Sequence, residues 1–248
     1  MRWITICAAA LCLGLAACGQ NTPGEAAKTE APSIFPRPTA SYSALYKLYD
    51  QSGGAREMTI LADAGRTRVE GAMPGTSIAT ATILDPASKR LITFRTGEKA
   101  PKVAMTLSPD KLGAAGDFFA TDQARPNATV VGADTVAGQS CRLWKIPPAA
   151  EGGAATIVCA TDDGILLRNA VEGDPPRTVM EAVSVKRGPQ ASALFDPPAG
   201  YEIVDYGPCL ALTQDAMAAL REGKRPDMVK MKECQALGEK LGGMFGGP

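Results

Sequence analysis

The feature that most constrains the fold of this chain is a long series of short segments in which apolar and polar residues alternate. The series begins at "SYSALYKLYD", where the even-numbered residues share one face. Further segments follow as far as "TVMEAVSVKR", and they are separated by short turn-forming stretches such as Asp63-Ala64-Gly65. Links of this length cannot hold the crossovers that parallel strands need. The pattern therefore predicts consecutive antiparallel strands in one β domain over residues 41–206.

Two parts of the chain have helical rather than strand-like patterns. "SPDKLGAAGDFFA" predicts one helix or helical turn packed across the sheet, with Ser108 as its N-cap. Near the end of the chain, "LTQDAMAALREG" predicts a helix that is capped by Thr213 and ends at Gly223. "RPDMVKMKECQALGEKLGG" predicts a second helix that starts at Pro226. The two would form an α-hairpin within a tail spanning 207–248.

The N-terminus has the pattern of an export signal. Arg2 precedes a run of about a dozen apolar residues, which is shorter than the roughly 20 that a membrane-spanning helix needs. The run ends in "LAAC", which matches the lipobox of bacterial lipoproteins. Residues 1–17 are therefore predicted to be a lipoprotein signal peptide, with Cys18 as the lipidated N-terminus. An ordinary secretory signal with a chance cysteine, or an apolar core helix, is the alternative.

Residues 18–40 are rich in proline, alanine and small polar residues and lack apolar periodicity. This composition predicts a lipidated, disordered tether between the membrane and the β domain. Gly19 occupies the position where aspartate is the familiar signal for retention in the inner membrane. The expected location is the outer membrane, facing the periplasm, with the acyl chains (palmitate among them) as the membrane contact.

The composition excludes several classes of function. The chain has 26 basic and 26 acidic residues, so no charge imbalance points to nucleic acid. It has no histidine, which excludes Ser-His-Asp and Cys-His catalysis and the HExxH zinc site. There is also no Walker loop and no GxGxxG after a strand. We expect no enzyme activity and no cofactor, and a carboxylate-based hydrolase is the enzyme class that stays compatible.

Four cysteines remain beyond the signal and the lipobox: Cys141, Cys159, Cys209 and Cys234. An even number in an exported chain predicts two disulfides. Four free or metal-binding thiols are the alternative, although there is no CxxC pair and no histidine to complete a metal site. If Cys141 opposes Cys159 in a hairpin, Leu143 faces Ile157 and both cysteines share a face, which suits a disulfide. The other two cysteines then pair by elimination.

One set of apolar residues is the candidate lining of a ligand cavity. Its members are Tyr46, Phe94, Met105, Phe118, Phe119 and Trp144. A filled core is the plainer interpretation of the same residues. A second set lies in the tail helices, where it would either dock a partner or cover the sheet edge. Its members are Met217, Leu220, Met228 and Met231.

Two charged motifs have plain structural interpretations. Asp162-Asp163-Gly164 places adjacent carboxylates between two strands, a pattern typical of a hairpin turn rather than of calcium or acid–base chemistry. Arg66 and Arg68 share a strand face, for which we expect solvent exposure, with contact to lipid phosphates as the alternative.

The order of lipobox, tether, strand meander, helical interruption, further strands and closing "PPAGY" resembles the lipoprotein-localisation carrier and acceptor (LolA/LolB-like) superfamily. "GQSCRLW", "CATDDGILLR" and "SVKRGPQASALFDPPAGY" look like an uncharacterised branch of it. The resemblance covers about 41–206. It implies a strongly curved antiparallel sheet that wraps around helices as a half-open barrel, with an apolar concavity that holds acyl chains. No ligand-contacting motif of the carriers matches a position here, so no site residue carries over.

Together these features predict an α+β protein, mainly β with helices: a curved antiparallel sheet or half-open β-barrel plus a C-terminal α-hairpin. The first functional expectation is a non-catalytic envelope lipoprotein that binds a lipid or another apolar ligand in its concavity. The alternative is a structural or interaction lipoprotein with a filled core, which binds an envelope protein through its helical tail. An open apolar concavity would favour the first, and a closed core with an exposed Met-rich tail would favour the second.

Overall fold

The computed structural model describes residues 39–72, 76–108, 127–148 and 152–241. All of these belong to one compact unit that begins at Pro32. The predicted signal peptide, Cys18 and all but the last two residues of the predicted tether lie outside the described residues. Phe118, Phe119 and the predicted helix after Ser108 lie outside them as well.

Twelve strands run through the described part of the chain and form one sheet. In chain order they are β1 (Tyr42–Tyr49), β2 (Ala55–Asp63), β3 (Arg66–Ala72), β4 (Ala79–Asp85), β5 (Arg90–Arg95), β6 (Val103–Leu107), β7 (Thr129–Val136), β8 (Gln139–Ile146), β9 (Thr156–Ala160), β10 (Leu166–Val171), β11 (Arg177–Arg187) and β12 (Glu202–Asp205). Two helices follow, α1 (Gly207–Arg221) and α2 (Met228–Lys240). The period-two segments of the sequence correspond to β1 through β11.

The strands are ordered β12–β6–β5–β4–β3–β2–β1–β11–β10–β9–β8–β7 across the sheet. Every neighbouring pair is antiparallel except β12 with β6, which is parallel. The sheet is curved and does not close, so β12 and β7 form its two edges. The predicted class is confirmed: a mainly β, α+β fold with a curved, unclosed sheet and two helices.

Strand β12 was not anticipated from the sequence. It has only four residues, and its partner β6 ends almost a hundred positions earlier in the chain. The 14 residues 188–201, which we call the linker, connect β11 to β12 and lead the chain across the sheet to the edge beside β6. The crossover of this parallel pair is the whole stretch between β6 and β12, which includes β7 to β11 and far exceeds the dozen residues that a parallel pair needs.

The turn between β2 and β3 shows how the short links set the strand pairing. Ala64 has a φ of 49° and Gly65 a φ of 81°, so both central residues are left-handed. This is the type I′ geometry, whose twist matches that of the flanking strands. Asp63 consequently lies directly opposite Arg66, and the hairpin continues in regular register from there.

The hairpin of β8 and β9 contains the predicted disulfide but not the predicted register. Cys159 lies opposite Leu143 rather than opposite Cys141, a shift of two residues. Side chains on a strand alternate with a period of two, so a shift of two leaves both cysteines on the same face. Cys141 and Cys159 are bonded as diagonal neighbours with their Cα atoms 5.5 Å apart. The register prediction, including Leu143 facing Ile157, is therefore wrong, whereas the pairing is the predicted one.

The linker packs against the face of the sheet formed by β4, β5 and β6. It includes a short 3-10 helix, Ser192–Phe195. The ring of Phe195 is 3% exposed and sits in a cluster with Ala81, Ile83 and Phe94. The linker is thus held by a buried aromatic anchor rather than lying loosely on the surface.

Arg68 is a second anchor of the linker, and the expectation that it faces solvent is wrong. Only 8% of Arg68 is exposed, because the linker covers this part of β3. Its Nη1 donates a hydrogen bond to the carbonyl of Leu194 at 2.7 Å. The guanidinium also pairs with Glu70 and lies 5.4 Å from the centre of the Phe94 ring. These contacts offset the loss of hydration of the buried cation.

The tail forms the predicted α-hairpin with different helix starts. Helix α1 begins six residues before Thr213, whose hydroxyl instead donates to the carbonyl of Cys209 at 2.9 Å. Helix α2 is capped by Asp227, whose carboxylate accepts hydrogen bonds from two backbone amides of the first turn. Both predicted starts, Thr213 and Pro226, are therefore wrong. Cys209 and Cys234 are bonded, with Cα atoms 5.5 Å apart.

We expect Phe195→Ala to lower the free energy of unfolding by about 3 to 5 kcal/mol, because it removes a buried aromatic anchor. The adjacent Leu194 is 36% exposed, so Leu194→Ala is a matched control that should cost less than about 1 kcal/mol. Urea denaturation followed by circular dichroism measures both. Equal losses in the two variants would mean that the Phe195 ring does not hold the linker to the sheet.

Candidate functional site

One large apolar cluster identifies the concave side of the sheet. Ala62 of β2 and Val136 of β7 both belong to it, although these strands are six positions apart in the sheet. A side chain reaches past a neighbouring strand most readily on the side toward which the sheet bends, and the Tyr46 hydroxyl of this cluster reaches Leu166, two strands away. Its other members are Tyr42, Ala44, Tyr46, Cys141, Cys159, Ile165, Leu167 and Ala182. The disulfide of β8 and β9 therefore lies inside the concavity.

Two tyrosines within this concave cluster are structural groups. The hydroxyl of Tyr46 donates a hydrogen bond to the carbonyl of Leu166 at 2.8 Å, and none of the Tyr46 residue is exposed. Burial raises the pKa of Tyr46 far above its usual range, and burial raises the pKa of Tyr42 to about 12. Both phenols stay protonated at neutral pH, which does not suit a general base.

The helical tail covers the opposite end of the same concave face. Residues that lie directly opposite each other on neighbouring strands share one face of the sheet. A row of such residues leads from Ala62 across β3, β4 and β5 to Leu107 of β6, so Leu107 lies on the concave side. Leu107 and Met105 form a buried cluster to which the tail contributes Leu237 and Leu241. The end of the hairpin that carries its disulfide is thereby fixed to the sheet.

Between these two clusters the concave face is only half-buried. The row that crosses this region contains Ile60, Val69, Thr82 and Thr93, and each of the four is partly exposed. The hydroxyls of Thr82 and Thr93 are hydrogen-bonded at 3.1 Å. The described side chains of this strip therefore form a mixed apolar and hydroxyl surface.

The four described members of the predicted cavity lining do not meet. Tyr46 belongs to the concave cluster and Met105 to the cluster under the tail. Phe94 packs on the opposite face of the sheet, and Trp144 lies in a separate cluster with Val158. Each is at most 2% exposed. The structure thus distributes these residues among four packed clusters, while Phe118 and Phe119 lie outside the described residues.

Two crevices flank the turn between β1 and β2, with volumes of about 380 and 330 Å³. Tyr49 and Asp50 line both of them, and Arg177 and Glu181 line the larger. Asp50 accepts hydrogen bonds from the hydroxyl and amide of Ser52 and from a further amide of its own turn. These bonds, led by the Ser52 hydroxyl, lower the pKa of Asp50. Its carboxylate is engaged in stabilising the turn.

Asp162 and Asp163 form a turn between β9 and β10, and each is paired with an arginine. Asp162 contacts Arg142 of β8, whereas Asp163 accepts from Arg187 of β11 at 2.9 Å. The hydrogen bond from Arg187 is the largest cause that lowers the pKa of Asp163. The two carboxylates thus face different partners and have no shared site for a proton or a cation.

The helical tail presents a group of large exposed apolar side chains. Met217, Leu220, Met228 and Val229 are 51%, 62%, 61% and 70% exposed. Met231 is half-buried and does not belong to the group. Sequence reasoning missed Val229. The feature that could have indicated Val229 is its position beside Met228 in the first turn of α2, where both side chains are exposed.

Within the described residues, no three Cys, Asp or Glu side chains are grouped so that they could hold a metal ion. No helix in that part of the chain is long and apolar enough to cross a membrane.

No protein-family model matches the chain, and no curated protein is significantly similar to it. An uncharacterized conserved protein from Thermus thermophilus aligns with a TM-score of 0.46 and 14% identity, over 67% of this chain and 90% of that one. The Pseudomonas aeruginosa MucA/MucB complex aligns with a TM-score of 0.44 and 15% identity, over 67% and 59%. A structure of PNGF-II gives 0.42 and 12%, over 67% and 31%.

The chain thus covers less than two thirds of the length of the MucB and PNGF-II chains that it matches. At identities of 15% or less and TM-scores below 0.5, these likenesses do not establish a shared activity, ligand or partner.

We expect Asp163→Asn to change how stability depends on pH. The lowered pKa of Asp163 means that its pairing with Arg187 stabilises the fold above the ordinary aspartate pKa of 3.8, and that this contribution is lost as the pH falls through the lowered value. The variant should be about 1 kcal/mol less stable at pH 7, a small effect because the pair is partly exposed. Its stability should fall less steeply than that of the wild type below pH 4.

Urea denaturation between pH 7 and pH 2 measures this difference. Asp162→Asn is the matched control, since the Asp162 side chain is 83% exposed and its loss should leave the acid dependence nearly unchanged. An unaltered acid slope in Asp163→Asn would contradict the assignment.

Proposed function

We propose that the protein is a non-catalytic lipoprotein of the bacterial envelope that acts by docking through its helical tail onto another envelope component. The contrast in exposure supports this proposal. Tyr46, Phe94, Met105 and Trp144 of the sheet are at most 2% exposed, whereas four large apolar side chains of the tail are 51% to 70% exposed and exceed most of the exposed strand residues, such as Val183 at 47%. Large apolar groups exposed together mark interaction surfaces, and here they lie on a hairpin held by a disulfide.

The envelope location is supported by the sequence and by the cysteines. The lipobox that ends at Cys18 supports lipid anchoring, and Gly19 supports the outer membrane. Both disulfides, Cys141–Cys159 and Cys209–Cys234, suit an oxidising compartment such as the periplasm.

The absence of catalysis is part of the proposal. Histidine is missing from the chain. The carboxylates of Asp50, Asp162 and Asp163 are engaged by a turn or by arginines, and the buried phenols of Tyr42 and Tyr46 stay neutral. These three carboxylates and two phenols are therefore not suited to general acid–base work.

Photo-crosslinking in cells of the native host tests the docking function. A photoreactive amino acid at Val229, 70% exposed in the tail, should give a discrete crosslinked product. The same amino acid at Val131 of β7, 52% exposed, is the matched control and should give none. Labelling with radioactive palmitate verifies in parallel that the full chain is acylated.

Equal products from positions 131 and 229, or no product from either, would overturn docking through the tail. Loss of palmitate labelling in Cys18→Ser is the expected result for lipidation at the lipobox, and retained labelling would contradict it.

A second candidate function is the binding of a lipid or other apolar ligand on the concave face. The observation that favours it is the half-buried strip of Ile60, Val69, Thr82 and Thr93 between the two packed clusters. The filled clusters on either side of the strip are what make this candidate the weaker of the two.

Native mass spectrometry distinguishes this candidate from docking. A lipid that remains bound to the purified protein, and that is lost in Val69→Glu on the strip, would support ligand binding. If the protein gives a ligand-free mass and takes up no added lipid, the concave face has no such role. The docking proposal predicts that no bound lipid depends on Val69.

A further inference from the structure

The end of the helical hairpin opposite its disulfide forms a distinct surface, residues 217–232, which we call the hairpin tip. Tail residues near Cys209 and Cys234, such as Leu210 and Leu237, pack against β6. From Cys209 to Leu220 helix α1 rises about 16 Å, at 1.5 Å per residue. Along α2 the separation is smaller: Met228 lies about 9 Å before Cys234, and Lys232 lies within one turn of it.

The hairpin tip combines apolar side chains from both helices. Met217 and Leu220 are three residues apart in α1 and lie on neighbouring positions of the helix surface. Met228 and Val229 occupy the first turn of α2. All four are more than half exposed, so both helices contribute exposed apolar side chains to the hairpin tip.

The hairpin tip is also strongly basic for this chain. It contains five basic and two acidic residues, a net charge of +3, whereas the whole chain has a net charge of zero. Both acids are internally paired, Glu222 with Lys224 at 2.7 Å and Asp227 with Lys230 at 3.5 Å. Within the described part of the chain, the remaining cations have no ion-pair partner. They are Arg221, Arg225 and Lys232.

Resting on the docking function proposed above, we infer that the partner of the hairpin tip is the surface of an anionic phospholipid bilayer. Apolar side chains flanked by lysine and arginine are the arrangement of interfacial membrane binders: the apolar groups enter the headgroup region while the cations contact lipid phosphates. Each basic residue near such a surface contributes about fivefold in affinity. The three unpaired cations thus favour an anionic surface by about two orders of magnitude.

The shape of the surface favours a bilayer over a protein groove. Protein partners that bind single helices contact a stripe along the helix axis, whereas here the exposed apolar residues lie where two helices end. The acidic residues that could specify a basic partner, Glu222 and Asp227, are already engaged. A flat, negatively charged, deformable surface complements such a tip.

Vesicle co-sedimentation tests the inference. The protein is residues 32–248, the compact unit that contains every described element and both disulfides. The probes are vesicles of pure phosphatidylcholine and vesicles with about one third phosphatidylglycerol. We expect binding to the anionic vesicles that weakens at high salt, and at least about tenfold weaker binding to the neutral ones.

Two sets of variants test the charged and apolar parts separately. Arg221→Gln/Arg225→Gln/Lys232→Gln should weaken binding to anionic vesicles by about a hundredfold. Leu220→Ser/Val229→Ser should weaken binding to anionic vesicles by at least about tenfold, because two exposed apolar side chains that would insert into the headgroup region are removed. All five positions are exposed, so their substitution leaves the core intact.

Matched controls remove the same groups from other parts of the surface. Arg90→Gln/Lys99→Gln/Lys102→Gln deletes three exposed cations of the sheet. Val131→Ser/Val183→Ser deletes two apolar side chains that are 52% and 47% exposed. We expect either control to change vesicle binding by less than about twofold, since charges beyond the Debye length are screened.

The outcomes separate this inference from the docking proposal. Absent binding to anionic vesicles, or equal losses in the tip and control variants, overturns the bilayer as partner. If the photoreactive residue at 229 nevertheless captures one discrete envelope protein, docking through the tail stands and only its lipid partner is wrong. If neither vesicles nor crosslinking report contact, both proposals fail.

Discussion

The pairing of β1 with β11 is the contact on which the rest of the structure depends. It joins residues as far apart in the chain as Tyr42 and Arg187. On one side of this junction the sheet continues through β2 to β6, and on the other through β10 to β7. Without the junction these would be two separate meanders, each with an apolar face in water. A bulge in β11, where Val183 is the extra residue opposite Leu45 and Tyr46 of β1, adds local twist where the two halves meet.

Once the two halves are joined, both faces of the sheet carry apolar side chains that other parts of the chain have to cover. On the concave side, the hydroxyl of Tyr46 reaches the carbonyl of Leu166 on β10, two strands away, and so ties the curved strands to each other. The β6 end of that face is covered by the tail, and the opposite face of β4–β6 by the linker with Phe195. The C-terminal part of the chain thus contributes covers to both faces, although most of the sheet is formed before it.

The strands and hairpins were predictable because their causes are local. Alternation and short turns such as Asp63-Ala64-Gly65 act within ten residues, and the Cys141–Cys159 pairing follows from one hairpin. The features that were predicted wrongly or not at all have other causes. The register of β8 and β9 could shift by two without moving any side chain to the other face. The burial of Arg68 depends on Leu194, which is 126 positions away, and β12 depends on the same linker.

The candidate site was less predictable than the fold, for a related reason. Tyr46, Phe94, Met105 and Trp144 are all buried, but sequence periodicity does not say on which side of a curved sheet each one lies or how far apart they are. Their distribution among four clusters follows from register and curvature together. For the tail, the sequence left two roles open, docking a partner or covering the sheet edge, and the structure divides them between different residues. Met217, Leu220 and Met228 are exposed, whereas Leu237 and Leu241 pack against β6.

An unclosed sheet has two edges whose backbone groups can recruit strands from other molecules and start aggregation. Both edges of this sheet have features that oppose such growth. Edge strand β12 has only four residues and carries Glu202 and Asp205. A second copy of the chain could therefore form only a few backbone hydrogen bonds with it and would be repelled by the negative charge. Edge strand β7 is interrupted by a bulge between Val130 and Gly132. The protein can therefore keep its sheet open at high local concentration without polymerising edge to edge.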